Sequence, residues 1–518
     1  MAETKHEVER KFEFKRRIAD AVGEGRAALP DLTSVPGVTA AHTDDSAELD
    51  AVYYDTEDLA LARAAITLRR RTGGHDAGWH LKLPVAADER EEIHVPLAPG
   101  DAEPGPHATP VPTRLAELTR ARTRGRALGP VARLRTARET TVLSGPDGTA
   151  LAEVSLDRVS AARLLAPVTT SAWTEVEVEL ADGAPRTVLR DVGRRLRDAG
   201  LRASSSPSKL ARALATPPAP EPGEPATAGD HVMAYIRAQA ERIMALDPAV
   251  RRDLPDSVHR LRVAARRLRS ALRSYRPLLD PAVTRPLADE LKWLAAELGA
   301  DRDQEVLADR LRAQVAEVPT PLLLGPVEAR LRAWDVGERF DAHLRSVAVL
   351  DSDRYLALLD RLDTLTTAPP LTRAARAAPR PVLARRVRKD YARLARRTEY
   401  ALALRPGETR DRALHDARKA AKRARYAAEA ARPALGRPAA RFARRVKDQQ
   451  KLLGDHHDSV VIRDALRALA VSAHAAGETA FTWGLLYGRE EQCAEAGERE
   501  LPRVWHRVSR PRLRRRLG

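Results

Sequence analysis

Acidic side chains recur at every second residue in several segments of the first 215 residues. Glu7 and Glu9 alternate with apolar or basic neighbours near the start of the chain, and Glu175 and Glu177 alternate with valines further on. In a β-strand every second side chain points to the same face, so each pair of carboxylates shares a face. Two carboxylates at that spacing repel each other unless a cation lies between them. A hard divalent ion with oxygen ligands suits such a pair.

Basic residues show the same alternation on other segments of this part of the chain. Arg69 and Arg71 share one face of a predicted strand, and Lys82 lies opposite the apolar Leu81 and Leu83. Basic groups on neighbouring strands would hold an anion that also touches the metal, and a metal-bound polyphosphate satisfies both requirements. A barrel with a polar interior would bring these faces together. The alternative is an antiparallel sheet whose charged face is merely solvated.

The second half of the sequence carries a cationic stripe on one side of a predicted helix. Residues 255–275, PDSVHRLRVAARRLRSALRSY, space apolar residues at helical intervals and place His259 and four arginines on the other side. No acidic residue occurs between Asp256 and Asp280. A solvated helix face normally mixes charge signs, because opposite charges four residues apart stabilise a helix and like charges destabilise it. The stripe therefore predicts that a ligand supplies the negative charge.

A copy of this stripe begins at His415, in HDARKAAKRARYAAEA, and later landmarks repeat at the same offset of 155 or 156 residues. Lys292 and Gly299, for example, recur as Lys447 and Gly454. We interpret the pattern as an internal duplication. Either the two histidines contact phosphate or orient arginines, or they are structural. The predicted polyanion-binding residues are His259, Arg262, Arg266, Arg269, Arg273, Lys292 and Arg302 in the first copy, and His415, Arg418, Lys422, Arg425 and Lys447 in the second.

Charge is unevenly distributed along the 518 residues, whose net charge is +17. Residues 1–230 contain 31 basic and 35 acidic residues, a net charge of −4, whereas the remainder contains 58 and 37, a net charge of +21. The excess predicts a polyanionic partner for the second part, unless it serves solubility alone. Nucleic acid is a competing polyanion, but aromatic residues make up only 4% of the chain and the stripe lacks Asn or Gln base readers. We therefore do not expect sequence-specific nucleic-acid binding.

Other features of the sequence limit where the protein works. A single cysteine, Cys493, excludes an intramolecular disulfide and a cysteine-based zinc site. No apolar run approaches the length of a membrane span, and the N-terminal residues lack the apolar core of a signal peptide. We expect a cytoplasmic protein with no membrane partner, and the sequence specifies no protein partner.

The composition divides the chain into three parts. Residues 1–215 have strand periodicity, residues 216–229 form a Pro-rich linker, and residues 230–510 have the Ala-, Leu- and Arg-rich composition of helices, with repeats at about 230–380 and 381–510. A Pro- and Gly-rich stretch, residues 98–112, is predicted to be a loop. The predicted fold class is therefore α+β and multidomain, with an antiparallel β-barrel followed by an all-α domain.

The first part resembles a known family. Glu7-x-Glu9-x-Lys11 is similar to the ExExK motif of the CYTH domain, or triphosphate tunnel metalloenzyme fold, and later charged residues follow in the family order over most of residues 3–214. Members bind a triphosphate inside a β-barrel tunnel and act on it with Mg²⁺ or Mn²⁺. Arg138 has the opposite strand parity to Arg133 and Arg135, so which of the three face the tunnel is open. The resemblance implies the metal ligands Glu7, Glu9, Glu153, Asp157, Glu175 and Glu177, and the phosphate-binding catalytic residues Lys11, Arg69, Arg71, Lys82, Arg90, Arg135, Arg138 and Lys209.

The second part resembles the CHAD domain, through VHRLRVAARRLRSAL, ELKWLAAELGADRDQEVL, LHDARKAAKRARYAAEA and KLLGDHHD. The resemblance implies two pseudo-symmetric four-helix bundles that bind inorganic polyphosphate. In the second copy His457 replaces Arg302, which predicts weaker phosphate binding there, because histidine is mostly neutral at pH 7.

Together the two resemblances imply metal-dependent hydrolysis of inorganic triphosphate to diphosphate and phosphate by the first part, and polyphosphate binding by the second. One alternative is a non-enzymatic polyphosphate-binding or targeting protein. Another is an enzyme acting on an organic triphosphate, either a thiamine triphosphatase or an adenylate cyclase.

Overall fold

The computed structural model describes residues 3–14, 29–86, 88–97, 109–215 and 223–517, without the side chains of residues 300–306 and 335–342. The predicted side-chain role of Arg302, most of the predicted loop 98–112 and the first half of the predicted linker 216–229 lie outside this set. Contacts divide the chain into two compact units, Met1–Glu221 and Pro222–Gly518. Among the described residues, every helix is either too short or too polar to cross a lipid bilayer.

In its described residues, the first unit is an antiparallel sheet with four short helices. Its helices are α1 (Ala60–Arg63), α2 (Thr113–Thr123), α3 (Arg186–Asp198) and α4 (Lys209–Ala213). Its strands are β1 (Glu3–Phe14), β2 (Ala40–Thr43), β3 (Ala47–Asp55), β4 (Thr67–Thr72), β5 (Gly78–Ala86), β6 (Glu89–Pro96), β7 (Gly129–Ser144), β8 (Ala150–Arg163), β9 (Thr169–Leu180) and β10 (Leu201–Ala203).

Strand β1 closes the sheet on itself, because it pairs with β6 along its first half and with β9 along its second half. The ring runs β1-β6-β5-β4-β3-β7-β8-β9 and returns to β1, which gives the predicted barrel. Directly paired residues in an antiparallel sheet point to the same face. Lys11 is paired with Glu177 and Arg138 with Asp157, so the charged faces of separate strands meet on the inside.

The apolar faces of the same strands lie on the outside of the barrel and are covered by helices. Phe12 and Val178 pack with Val192 and Leu196 of α3, all of them buried. Elsewhere the buried strand residues pack against α1 and α2. Gly193 permits the close approach of α3, because a Cβ atom there would lie 2.9 Å from Phe12 Cζ. Hydrophobic packing is thus external and the interior is left for charged groups.

The second unit is helical. Thr227 and Asp230 form a capping box at the start of its first helix. Its short 3₁₀ turns are Arg276–Leu278, Thr320–Leu322 and Arg373–Arg376. Its α-helices are α5 (Ala228–Arg251), α6 (Ser257–Ser274), α7 (Pro281–Glu297), α8 (Ala300–Ala316), α9 (Val327–Asp351), α10 (Asp353–Thr367), α11 (Pro379–Ala403), α12 (Glu408–Leu435), α13 (Arg437–Ala475), α14 (Phe481–Ser509) and α15 (Pro511–Arg515).

The two stripe-bearing segments are the equivalent helices α6 and α12, as the duplication predicts. The copies differ further on, because the single 39-residue helix α13 occupies the sequence positions that α7 and α8 occupy in the first copy. Leu311 of α8 belongs to the same buried apolar cluster as Ile462 and Leu466 of α13 and Trp483 of α14. The two copies therefore share a hydrophobic core where α8 packs near α13 and α14.

Candidate functional site

A cavity of about 600 Å³ lies inside the barrel and is lined mainly by charged side chains. Its volume is in the range of small-molecule sites. Ten acidic and eight basic side chains line it among the described residues. The strands bring together eleven of the fourteen predicted tunnel residues here, namely Glu7, Glu9, Lys11, Arg69, Arg71, Lys82, Arg90, Arg138, Glu153, Glu177 and Lys209.

Asp157 and Glu175 are buried beside the cavity rather than lining it. Both contact Lys209, whose Nζ lies 2.8 Å from Asp157 Oδ2, 2.9 Å from Glu175 Oε1 and 2.6 Å from Glu177 Oε1. Ser208 caps α4 by accepting a hydrogen bond from the Ala211 amide, and this fixes Lys209 in the first turn. Burial opposes the charge of the ammonium, but the three carboxylates hold the pKa of Lys209 above its usual range.

Arg135 does not line the cavity, which corrects the expectation that it does. Its side chain is 68% exposed and its Nε atom lies 3.6 Å from Asp50, which also pairs with Arg133. The pairing of β7 with β3 and β8 shows no register shift between residues 133 and 138. Residues three apart on a regular strand face opposite sides, so Arg138 points inward and Arg135 outward.

Glu7 belongs to a compact cluster with Lys82, Glu92 and His80 on one side of the cavity. Lys82 Nζ lies 2.5 Å from Glu7 Oε2 and 3.8 Å from Glu92 Oε2, and His80 Nδ1 lies 2.8 Å from Glu92 Oε1. Burial raises the pKa of Glu7 to about 8, although Lys82 opposes the shift. Burial acts in the same direction on Glu92, but Lys82 and His80 hold the pKa of Glu92 below its usual range. The pKa values of the two carboxyls are thus shifted in opposite directions, with that of Glu7 raised and that of Glu92 lowered.

Glu9 is held by two basic groups. Its Oε2 atom accepts from Lys11 Nζ at 3.1 Å, and its Oε1 atom accepts from Arg90 Nε at 3.0 Å. Lys11 also contacts Glu177. Arg90 is fixed in turn by donating to the backbone oxygen of Pro207 at 2.8 Å. These contacts explain why the alternating Glu7, Glu9 and Lys11 motif points into the barrel with a defined geometry.

Three arginines, Arg69, Arg71 and Arg138, approach one another across the cavity. Burial, with the positive charges of Arg69 and Arg138, lowers the pKa of Arg71 to about 10, while Asp76 opposes the shift. Arg138 donates to Asp157 at 2.7 and 2.6 Å and to Glu177 at 2.8 Å. Guanidinium groups that repel one another form a favourable site for an anion with several oxygens.

Several lining residues were absent from the predicted set. The side chains of Glu92, Glu179, His80 and His94 also line the cavity. The signal was present in the sequence, because Glu92 lies two residues after Arg90 and Glu179 two residues after Glu177. Strand alternation alone would have placed them on the same faces.

The helical unit contains a cationic groove between α6, α7, α11 and α12, which consists of two adjoining cavities of about 450 and 320 Å³. Of the predicted polyanion-binding residues, Arg266, Arg269, Arg273 and Lys422 line it. Burial, together with the positive charges of Arg418 and Arg266, lowers the pKa of Lys422 to about 7. The stripes of the two copies therefore face each other. The groove residues that were not predicted include Arg386, Lys389, Arg393 and Arg423.

Arg262 and Arg418 lie at equivalent positions beside the paired glycines of the duplication. A Cβ atom on Gly299 would lie 2.7 Å from Arg262 Nη2, and one on Gly454 would lie 3.7 Å from Arg418 Nε. The arginine and the glycine of each copy are thus neighbours in the structure. Arg418 also lies 3.6 Å from Asp458.

The remaining predicted residues of the helices lie outside the groove. Lys292, Lys447 and His259 are exposed, and Arg425 pairs with Glu429 at 3.0 Å. His415 Nδ1 lies 3.1 Å from His457 Nδ1, so at least one of the two imidazoles must be neutral. Burial lowers the pKa of His415 to about 4, and His457 adds to the effect. His415 is therefore neutral at neutral pH, and because a neutral imidazole still has one N–H donor, both predicted roles, phosphate contact and orientation of arginines, stay predictions.

The two units correspond to two protein families. A model of the CYTH domain matches residues 5–214, and a model of the CHAD domain matches residues 234–467. Two proteins of Mycobacterium tuberculosis, each described as uncharacterized, are 40% identical over 517 residues, covering 96% of this chain and 94% of each relative. The chain belongs to the CYTH–CHAD family. Members of the CYTH family are divalent-metal-dependent triphosphate tunnel metalloenzymes that act on phosphoanhydride bonds.

Solved structures with some similarity include PptA from Streptomyces chartreusis, at 23% identity and a TM-score of 0.46, covering 54% of this chain and 99% of that one. The CHAD domain from the plant Ricinus communis is 26% identical, with a TM-score of 0.41, and covers 53% of this chain and 92% of that one. At TM-scores below 0.5, neither likeness decides the fold or the activity of this CYTH–CHAD protein.

The acidic groups of the cavity fit the divalent ion on which the CYTH family depends. Oxygen atoms of Asp157, Glu175 and Glu177 lie within 4.8 Å of one another, and all-oxygen ligand sets suit Mg²⁺ and Mn²⁺. The ammonium of Lys209 contacts all three carboxylates, so an ion bound by this trio would have to replace it. Glu7 and Glu9 offer further oxygen ligands on the cavity wall.

Proposed function

We propose that the barrel cavity hydrolyses inorganic triphosphate with Mg²⁺ or Mn²⁺, and that the cationic groove binds inorganic polyphosphate. The convergence of carboxylates and guanidinium groups in one cavity supports the first activity. Acidic residues outnumber basic ones there, so a highly charged polyphosphate would enter most favourably with a cation. We expect a cytoplasmic protein, in keeping with the metabolite it would consume.

The residues of the cavity suit phosphoryl transfer, which requires positioning and neutralisation of charge rather than covalent chemistry. Arg69, Arg71 and Arg138 would bind the phosphoryl oxygens and stabilise the charge that spreads over them in the transition state. Lys82 and Lys209 would exchange their contacts with carboxylates for contacts with the two terminal phosphates of the triphosphate. Of the predicted metal ligands, Glu7, Glu9, Glu153 and Glu177 line the cavity, Glu153 being the exposed one, and Asp157 and Glu175 contact Lys209 beside it. The bound ion would supply Lewis acidity and orient the attacking water.

Polyphosphate binding by the groove is supported by its charge and shape. Arg269, Arg273, Arg393 and Arg423 line both adjoining cavities, so the positive surface is continuous from one to the other. A linear polyanion can contact such a surface along its length, with an affinity that falls steeply as salt rises. Arginine forks match phosphate oxygens and carry no base-reading groups.

The decisive experiment measures phosphate release from tripolyphosphate, ATP and thiamine triphosphate with Mg²⁺, with Mn²⁺ and after chelation. We expect tripolyphosphate to be hydrolysed fastest and chelation to abolish the reaction. Glu9→Gln should lower kcat/KM by about two orders of magnitude, a typical cost of losing one preorganised polar group. Glu48→Gln is a control, because Glu48 is exposed and lies outside the cavity.

Two outcomes would favour the alternatives. Tight retention of polyphosphate with no phosphate release under any metal would indicate a binding or targeting protein. Faster turnover of ATP or thiamine triphosphate would indicate an organic substrate.

A further inference from the structure

Three helices of the second unit meet at a cluster of one histidine and two carboxylates. Asp411 lies on α12, His456 on α13 and Glu498 on α14. His456 Nε2 is 3.1 Å from Glu498 Oε1 and 3.4 Å from Asp411 Oδ1, and the three potential ligand atoms all lie within 4.8 Å of one another. The side chain of His456 is only 4% exposed. None of the three residues lines the cationic groove.

The spacing of the cluster matches that of a four-coordinate ion. Zinc bonds to nitrogen or oxygen of about 2.0–2.1 Å place neighbouring tetrahedral ligand atoms roughly 3.3 Å apart. The two separations that involve His456 Nε2, 3.1 and 3.4 Å, agree with this value. One imidazole and two carboxylates make up a ligand set that zinc accepts, with the fourth position left for water.

Each carboxylate has one oxygen facing His456 and the other facing an arginine. Arg410 Nε lies 3.1 Å from Glu498 Oε2, and Arg463 Nη2 lies 3.7 Å from Asp411 Oδ2. Partners of this kind orient the ligating oxygens in metal sites. Their positive charge also weakens cation binding, so the site should be weaker than one with neutral partners.

We propose that Asp411, His456 and Glu498 bind a divalent transition-metal ion of the Zn²⁺ class, which ties α12, α13 and α14 together. The site is separate from the barrel and from the groove. A bound ion would connect the helix that carries Arg418 and Lys422 to its two neighbours. It would thereby stabilise the second copy, whose helix α13 carries His457 at the position of Arg302.

A simpler arrangement uses the same atoms without metal. In that arrangement the Nε2–H group of His456 is shared between the two carboxylates as a hydrogen-bond donor. The two possibilities differ in metal content, and a measurement of bound metal separates them.

The experiment uses the untagged full-length chain with Glu7→Gln and Glu9→Gln, so that fewer barrel carboxylates bind metal. The protein is equilibrated with Zn²⁺ or Co²⁺, separated from free ion, and its metal content and Co²⁺ visible spectrum are measured. His456→Asn and Glu498→Gln test the site, and His474→Asn is the control, because His474 lies exposed on the same helix α13. Circular dichroism checks that every variant is helical.

We expect His456→Asn and Glu498→Gln to lose one equivalent of metal relative to the parent and to His474→Asn. They should also lose the intense absorption of four-coordinate Co²⁺ and the rise in Tm on adding Zn²⁺. Equal metal content in the parent and in both site variants would overturn the proposal. Triphosphatase activity is not a readout, so failure of this site and failure of the proposed barrel activity are distinguishable.

Discussion

Arg138 and Arg135 provide a matched pair for testing the assignment of the cavity, because they lie on the same strand and face opposite sides. Arg138→Met removes a guanidinium that donates three hydrogen bonds to Asp157 and Glu177 inside the barrel. Arg135→Met removes an exposed guanidinium 3.6 Å from Asp50. The two substitutions change the side chain identically, so any difference between them reports position alone.

The expected effect on activity follows from the contacts that Arg138 makes with charged oxygens. A hydrogen bond to a charged group contributes about 1.5–3 kcal/mol, and the phosphoryl oxygens of the substrate would replace one carboxylate as acceptor. A factor of ten in rate corresponds to 1.36 kcal/mol. Arg138→Met should therefore lower kcat/KM for triphosphate about 10- to 150-fold, whereas Arg135→Met should change it less than about 2-fold.

The substitution also affects stability, which must be measured in parallel. Asp157 would keep Lys209, at 2.8 Å, as its basic partner, so its charge stays compensated in part. We expect Arg138→Met to lower Tm by several degrees, because breaking a buried ion pair destabilises a protein. Steady-state phosphate release well below the Tm of each variant separates the two effects. Equal kcat/KM values for the two variants, or a larger loss for Arg135→Met, would refute the placement of Arg138 at the substrate.

Two further predictions concern the helical unit. The pKa of Lys422 in the ligand-free protein is near 7, and a bound polyanion favours its charged form, so polyphosphate binding should take up a proton and weaken as the pH rises above 7. Lys422→Arg should remove this part of the pH dependence, which calorimetry in buffers of different ionisation enthalpy would detect. The second prediction concerns the duplicated glycines Gly299 and Gly454, where substitution by alanine should change the free energy of unfolding in opposite directions. Gly454→Ala should raise the free energy of unfolding by up to about 1 kcal/mol, since its Cβ atom meets only ordinary contacts and alanine favours helix. Gly299→Ala should lower it, since its Cβ atom would lie 2.9 Å from the backbone oxygens of Ala295 and Ala296. Urea denaturation measures the free energy of unfolding of both variants. A Gly299→Ala variant more stable than the parent would contradict the close packing of Arg262 against Gly299.

Local periodicity in the sequence predicted which side chains share a face, and this part of the fold was accessible without a structure. Alternation placed Glu7, Glu9 and Lys11 together, and helical spacing placed Arg266, Arg269 and Arg273 together, as observed. The inclusion of Arg135 failed because the order of basic residues in the family outweighed strand parity. Parity alone would have separated it from Arg138.

Individual long-range contacts could not be predicted from periodicity, because periodicity fixes a face but not the element that packs against it; the resemblance to the CYTH domain implied a shared tunnel but not the partners of each side chain within it. Nothing in the sequence near Lys209 indicates that its ammonium lies among Asp157, Glu175 and Glu177. The approach of Lys422 to Arg266, 156 residues earlier in the chain, depends on how α6 and α12 pack. Such pairs are set by the closure of the barrel and by the docking of helices.

The external hydrophobic layer of the barrel separates the residues that maintain the fold from those that meet the ligand. Phe12 and its neighbours on α3 form a hydrophobic core on the outer side of the sheet. The inner side carries mainly charged groups and contributes little to hydrophobic packing. Substitutions of residues that line the cavity can therefore change which anion or metal ion is preferred without creating a void in the hydrophobic core. Such a scaffold allows new substrate preferences to evolve through changes of charge at fixed positions, provided that the ion pairs broken in the lumen are compensated there.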